Sequence, residues 1–507
     1  MASPTTPVFL PAAPPKLPFL SHLLPPEILE NILTHLDHLP TLKSLRLVNK
    51  TLSTRVLGPH FSSFCAHQTT DLTPSSLASL FALATHPHLH RPCVKDLTII
   101  ALVYDECELE NILKTGDRVE STMEESEGRR FSVTYTKCTA EELDGYRDDL
   151  ARLLVRREEH SVRLREVVPA QLAEVLRLFG PRLRSIRLEA AVERGIGGVM
   201  ELAEEWRVNW VWAQAVKVYS LTMAAVCASG VAVSAINVFW DTQRCAVAAR
   251  DIHAHLLTLD ASQLEVVGAA IKSFSLSSST PLETDVEKLA KDPPSCHHDE
   301  DSDGSSSGAA PDEPSEFPAI TRLISFMPNL ETLRLRVYGP AGPDTHDELF
   351  GRIARDIRLP QLRECVLYGM PVTHASLLQF LTNHPNIENL ELSNMWLMRC
   401  RETDWDPIIA HLDKKMPRLK QLRLSNLMGY SRPWNLLPIG ESWMEERAMY
   451  EQRWWGLQCG GGLLVHTREF DEEELRQGLR FWPRPNGVML GSPQVMRWRN
   501  QLKTLIL

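Results

Sequence analysis

The sequence predicts an α/β chain: a short helical domain followed by an irregular helix–strand solenoid with parallel strands. Three observations carry this expectation. Apolar hexads of the form L-x-x-L-x-L recur nine times. The four most closely spaced each follow a stretch with helical periodicity, usually closed by a proline. Two closely joined amphipathic helices stand ahead of all of them. Length agrees, because 507 residues exceed one ordinary compact core and suit roughly three domains or one extended repeat array.

Residues 1–20 are proline-rich and are expected to be disordered. From residue 21 to 64 the pattern changes. Pro25 and Pro26 suit a first helical turn, where a missing N–H costs little, and Glu27 complements the helix dipole. Ile28, Leu29, Ile32, Leu33 and Leu36 then form one apolar stripe. Pro40 breaks the chain, and Thr41 is placed to cap a second helix. Leu42, Leu45, Val48, Leu52 and Val56 continue at helical spacing. Two short helices so closely joined cannot bury both stripes against each other; they need a third helix, a partner, or both.

The order L-P-P-E-I-L-x-x-I-L-x-x-L over Leu24–Leu36, followed by Leu45-Arg-Leu-Val-Asn-Lys50, resembles an F-box. Members of that family dock substrate receptors onto the Skp adaptor, and through it the cullin, of an SCF ubiquitin ligase. By that resemblance Leu24, Pro25, Glu27, Ile28, Leu29, Ile32 and Leu36 would lie on or near the adaptor surface. Leu42, Leu45 and Val48 would close the helical unit and in part touch the adaptor. Two positions depart from the family pattern: Pro40-Thr41 stands where an acidic residue is common, and Leu52 where an aromatic is common.

The hexads resemble the strands of leucine-rich repeats, whose apolar positions face one core. Four lie close together: Leu330–Leu335, Leu362–Leu367, Ile387–Leu392 and Leu419–Leu424, with last positions 32, 25 and 32 residues apart. Pro385 and Pro417 end the preceding helical stretches and turn the chain toward the next strand. Wider-spaced matches are Val94–Ile99, Leu183–Leu188, Val233–Val238 and Ile271–Leu276, and the chain ends on Leu502–Leu507. An ordinary α/β domain with a parallel sheet is the alternative; it predicts the same right-handed crossovers but a different shape.

The solenoid is thus expected in two parts, 65–276 and 319–507, with three interruptions. About 106–168 holds mixed charge, including Arg152, Arg156, Arg157, Glu158 and Glu159, and reads as a solvated helix with ion pairs or as a phosphate-binding strip. Residues 277–318 are rich in Ser, Pro and acids and are expected to be a disordered loop. About 429–498 contains six of the twelve tryptophans, Trp434, Trp443, Trp454, Trp455, Trp482 and Trp498, and reads as a packed terminal cap in which an exposed Trp or two would be a candidate binding hot spot. Val218–Trp240 is 23 residues without a formal charge. Its Ala, Ser and Gly content and Asn237 favour a buried helix (about Ala213 to Ala228), a turn and a strand over a membrane span.

Formal net charge is −10, of which eleven acids against two bases between Glu283 and Glu316 supply −9. The rest is nearly neutral, so neither nucleic acid nor a membrane is expected as a partner. Prolines and no basic n-region open the chain, and ten scattered cysteines form no C-x-x-C pair; an intracellular protein of cytoplasm or nucleus is expected.

Catalytic and ligand motifs do not assemble. Gly195-Ile-Gly-Gly198 has Met200 where a dinucleotide loop needs Gly, and Glu201, Glu204 and Glu205 would repel phosphate. Gly460–Gly462 lacks the Lys-Ser/Thr of a phosphate loop. His86, His88, His90 and Cys93, and Cys296-His297-His298, read as polar loop residues rather than zinc ligands. No cofactor, no metal and no enzymatic activity are expected. The resemblance implies a substrate-recognition subunit that holds an unidentified protein substrate; the alternative is a non-catalytic binding scaffold outside any ligase.

Overall fold

The computed structural model describes residues 25–36, 39–48, 59–86, 94–124, 130–164, 168–194, 199–200, 208–279, 318–338, 346–398, 405–429, 456–459, 462–465 and 467–479. The fold is mixed α/β, built around a large, mostly parallel sheet. The chain forms two compact units, residues 1–67 with 86–94, and residues 68–85 with 95–507. The first contains α1 (Pro26–Thr34), α2 (Leu39–Arg46) and α3 (Pro59–Phe64).

The sheet-bearing chain opens with β1 (His67–Thr70), α4 (Pro74–Ala84), β2 (Asp96–Tyr104), α5 (Cys107–Thr115), the hairpin β3 (Asp117–Glu124) and β4 (Arg130–Lys137), α6 (Ala140–Leu164) and α7 (Val168–Phe179). Then come β5 (Ser185–Glu193), β6 (Val199–Met200), α8 (Val208–Ser229), β7 (Ala235–Val238), β8 (Val247–Ala248), α9 (Ala249–Leu256), α10 (Ala261–Ala270) and β9 (Ser273–Ser279). Next are α11 (Pro318–Ser325), β10 (Thr332–Tyr338), α12 (His346–Asp356), β11 (Glu364–Tyr368), β12 (Pro371–Val372), α13 (His374–Asn383), β13 (Asn389–Ser393), β14 (Trp396–Leu397), α14 (Asp406–Lys415) and β15 (Gln421–Ser425). The last elements are β16 (Gly456–Cys459), β17 (Gly462–Val465), β18 (Thr467–Phe470) and α15 (Glu472–Gln477).

The main sheet runs β1–β2–β5–β7–β9–β10–β11–β13–β15–β18, so its strands lie in the order in which the chain makes them. A doubly wound sheet would reverse that order at a switch point and carry helices on both faces. Here the parallel strands follow one another in one direction, and crossovers of one hand then put the connecting helices on a single face. These helices pack neighbour on neighbour: α7 on α8, α8 on α10, α9 on α11, then α11, α12, α13 and α14 in series.

Each of the eight hexads among the described residues begins two positions before its strand, and their registers coincide. One rung runs Leu97, Ile186, Ile236, Phe274, Leu333, Cys365, Leu390, Leu422; the next runs Ile99, Leu188, Val238, Leu276, Leu335, Leu367, Leu392, Leu424. All sixteen are buried. Full burial of such a side chain is worth roughly 1.5–3 kcal/mol, so the rungs dominate the core. The ninth hexad, Leu502–Leu507, lies outside the described residues.

Both ends of the later strands are pinned. At the entry end Lys272, Glu331, Arg363, Glu388 and Lys420 occupy one rung with alternating sign. Lys272 Nζ lies 2.8 Å from Glu331 and Lys420 Nζ 2.5 Å from Glu388, and these ammonium groups hold both carboxyls below their ordinary range. At the exit end Gly369, Asn394 and Asn426 take left-handed backbone at φ 71°, 53° and 49°. Asn426 Nδ2 donates to Asn394 Oδ1 at 2.9 Å. A Cβ on Gly369 would sit 2.5 Å from the Val337 carbonyl oxygen, so two separate constraints demand glycine there. After this turn β12 and β14 pair as a second, two-stranded parallel ladder.

Several expectations change. The apolar run expected as a helix from about Ala213 is the longer α8; it is long and apolar enough to cross a membrane, and it is packed against α7, β2 and β5. The acidic insertion does not begin at residue 277, because Ser277–Ser279 complete β9, and Ser277 donates to the Phe239 carbonyl. Strands are not all parallel: β18, inside the Trp-rich stretch, pairs antiparallel with β15. The six tryptophans singled out there, and residues 1–20, lie outside the described residues.

The mixed-charge segment 106–168 is more than a solvated helix. Its α5, hairpin and α6 follow β2, and α6 folds onto the sheet face opposite the connecting helices. There Tyr146, Leu150 and Leu153 of α6 and Leu109 of α5 pack on Ile100, Leu102, Tyr104 and Ala191. Arg156 pairs with Glu193, and Arg157 with Glu106.

Buried His384 ties two layers together: Nδ1 donates to the Phe380 carbonyl at 2.7 Å and Nε2 accepts the Leu359 N–H at 3.2 Å. That arrangement fixes a neutral ring, and burial pushes its pKa down, as it does for His160 and His255. The folded state therefore binds fewer protons than the unfolded one below about pH 6.5, and stability is full above that pH and falls beneath it. Melting temperature measured from pH 8 to pH 5 should drop below pH 6.5, with a shallower slope in His384→Gln. Gly369→Ala should cost about 1–3 kcal/mol in denaturant unfolding.

Candidate docking surfaces

In the first unit, Pro25 adopts φ −54° and ψ 147° just before α1, and Pro26 begins it. Both are compatible with proline's fixed φ and missing N–H. Glu27 stands in the first turn beside the unpaired N–H groups. α3 is the third helix that the two stripes require: it packs on both α1 and α2, and His60 of α3 lies 3.2 Å from the Leu36 carbonyl. Leu33 is 2% exposed and Leu42 is fully buried, so this small unit has a core.

That core does not absorb both stripes. Ile28 is 48% exposed and Ile32, one turn later, 47%. Val48 is 52% exposed and Leu47 88% exposed, just beyond the end of α2. Pro25 and Glu27 are exposed too, while Leu36 and Leu45 are half-buried. Isolated exposed apolar residues are ordinary; two at i and i+4 on one helix form a strip. Of the residues singled out from sequence, Leu42 is sealed inside and Val48 faces outward. Leu24 lies outside the described residues, and Leu29 is placed only as a position in α1. Leu33 and Leu47, absent from that set, take the core and the most exposed position.

In the second unit, the face of β7 to β15 opposite the connecting helices is polar apart from Val366. Asn237, Ser275, Arg334, Val366, Glu391 and Arg423 succeed one another across it. Most of its charges are matched in pairs. Arg187 lies 3.5 Å from both Glu189 and Asp241; Arg334 binds Glu364 at 2.6 Å; and Arg423 lies 3.8 Å from Glu391 and 3.4 Å from Glu469. Arg336 differs: its guanidinium lies 4.4 Å from the Trp240 ring centroid and 4.8 Å from that of Tyr368. Sequence reading missed this cluster, although Arg334-x-Arg336-x-Tyr338 alternates with the buried hexad and signals one shared face.

Among the described residues no His, Cys, Asp and Glu side chains group in threes suited to a metal. His86 is half-buried, whereas His88, His90, Cys93, Gly195–Gly198 and Cys296–His298 lie outside them. Burial pushes the Cys227 thiol up to about 11 and the Cys245 and Cys365 thiols up as well, which suits packing rather than nucleophilic attack.

Ile28→Ser with Ile32→Ser should leave resistance to limited proteolysis of residues 25–67 unchanged. Leu42→Ala should cost about 2–5 kcal/mol and speed clipping there. No protein-family model matches this chain, and no curated protein matches it.

Proposed function

We propose that the chain is the substrate-recognition subunit of an SCF-type ubiquitin ligase. Its helical unit would act as an F-box that docks on a Skp-family adaptor and thereby on the cullin, and its sheet-bearing unit as a leucine-rich-repeat-like solenoid that holds a protein substrate. The observation that carries this reading is the apolar strip left on a unit that already has a core. Pro25, Ile28, Ile32 and Val48 remain exposed, and these are residues that the F-box resemblance assigns to adaptor docking or to closing the helical unit beside the adaptor. The in-order parallel strands and the recurrent apolar rungs support the repeat reading of the rest.

On this reading the chain performs no bond chemistry. It would raise the effective concentration of substrate lysines near the ubiquitin carrier, which accelerates transfer without any new catalytic group. An exposed anchor that becomes a hot spot of an interface costs about 2 kcal/mol or more on truncation. Ile28→Ser with Ile32→Ser, and separately Leu24→Ala with Pro25→Ala, should therefore abolish co-purification of the adaptor from cells while the chain stays folded. Adaptor recovery equal to wild type would refute the docking role. Ubiquitin transfer to a bound partner, reconstituted with purified adaptor and cullin, separates a ligase subunit from a scaffold.

A further inference from the structure

On the open polar face Arg334 and Arg423 carry carboxylate partners, as Arg187 does on β5; Arg336 carries none among the described residues. It is nevertheless firmly held. Nη1 donates to the Trp240 carbonyl at 2.9 Å and to the Tyr338 hydroxyl at 3.3 Å, and the planar head is stacked between the Trp240 and Tyr368 rings. Tyr338 is fixed in turn by accepting the Arg244 N–H at 3.1 Å. Trp240 is anchored where its N–H donates to Asn237 Oδ1 at 3.0 Å. No hydrogen bond reaches the remaining edge of the guanidinium: Nε is buried without a partner, and Nη2 makes none among the described residues.

Nη2 is the part of that edge left open, and its N–H groups can donate to a carboxylate oxygen. A half-buried cation without a counter-charge is costly, and the aromatic faces compensate it only in part. The neighbouring arginines are already neutralised and do not compete for an incoming anion. Trp, Tyr and Arg are also the side chains that most often dominate protein interfaces.

We infer that Arg336, clamped between Trp240 and Tyr368, is the anchor point of a protein-binding surface and receives an Asp or Glu side chain from an acidic segment of the partner. This rests on reading the sheet-bearing unit as the part that holds a protein substrate. The partner must reach a side chain displayed on a sheet face, which suits a carboxylate presented on a peptide rather than one diffusing free.

The test uses the full chain and a fluorescein-labelled (Gly-Glu)6 peptide with blocked ends, titrated by fluorescence polarisation at low salt, beside its (Gly-Gln)6 counterpart. Wild type should bind the Glu peptide at least tenfold tighter than the Gln peptide, a comparison that needs no variant. Arg336→Lys keeps the charge but removes Nη2 and the planar head held by the rings, and should weaken binding at least tenfold with an unchanged melting temperature. Arg423→Gln, on the same face but already paired, should change it less than twofold. No binding by wild type, no preference for Glu, full binding by Arg336→Lys, or an equal loss in Arg423→Gln would each overturn the assignment. Displacement of the peptide by an equal concentration of free glutamate would also overturn it, because the occupant would then be a small carboxylate. Adaptor co-purification is read separately, so loss of this anchor and loss of the ligase reading are distinguishable.

Discussion

Side chains at the fourth and sixth hexad positions stack from strand to strand, and the sheet-bearing unit depends on that alignment. Sliding one strand by a single residue would turn its apolar pair outward and its polar neighbours inward. On β10 that exchange would bury Arg334 and Arg336 in place of Leu333 and Leu335. Burying charge without a partner costs far more than any turn or ion pair contributes. The alternating charges at the entry end and the Gly369, Asn394 and Asn426 turns at the exit end then select the same register locally. Local and long-range preferences agree, which is what gives one structure rather than several.

Much of this was legible because it is periodic. Eight hexads of the sequence are eight strands, and Cys365, standing where most hexads have an aliphatic residue, packs as one. The turn after β13 and β15 was also written there, in Leu392-Ser-Asn-Met395 and Leu424-Ser-Asn-Leu427, but two copies of a tetrapeptide carry little weight on their own. The roof formed by α6 was not legible. Its apolar contacts, Tyr146, Leu150 and Leu153, are spaced three and four apart among many charges, and they meet β2 and β5 residues far away in the chain. In the helical unit the stripe itself was evident, but periodicity cannot tell which members face α3 and which face outward. Leu33 and Ile32 are adjacent and have opposite fates.

The two faces of the sheet show how unequal such a division can be. One is sealed along its length by connecting helices. The other is covered by α6 over β2 and β5 and is polar from β7 onward. Its ion pairs cross between adjacent strands, so they satisfy charge without closing the surface. Arg336 is the exception, held by ring faces and by a carbonyl and a hydroxyl instead of an acid. The helical unit presents the converse chemistry, an apolar strip instead of a polar field. The two surfaces therefore differ in what they attract.

The strand order carries one more consequence. Along the main path of the sheet, every new strand from β2 to β15 is laid beside one already made. A ribosome releases the chain in that same direction, so each emerging segment finds its template waiting and no early strand must hold a gap open for a late one. Long connections disturb this little, since closing a loop costs only about 0.6 kcal/mol more for each doubling of its length. The stretch between β9 and β10 can therefore differ greatly in length from the other connections while the two strands still pair residue for residue.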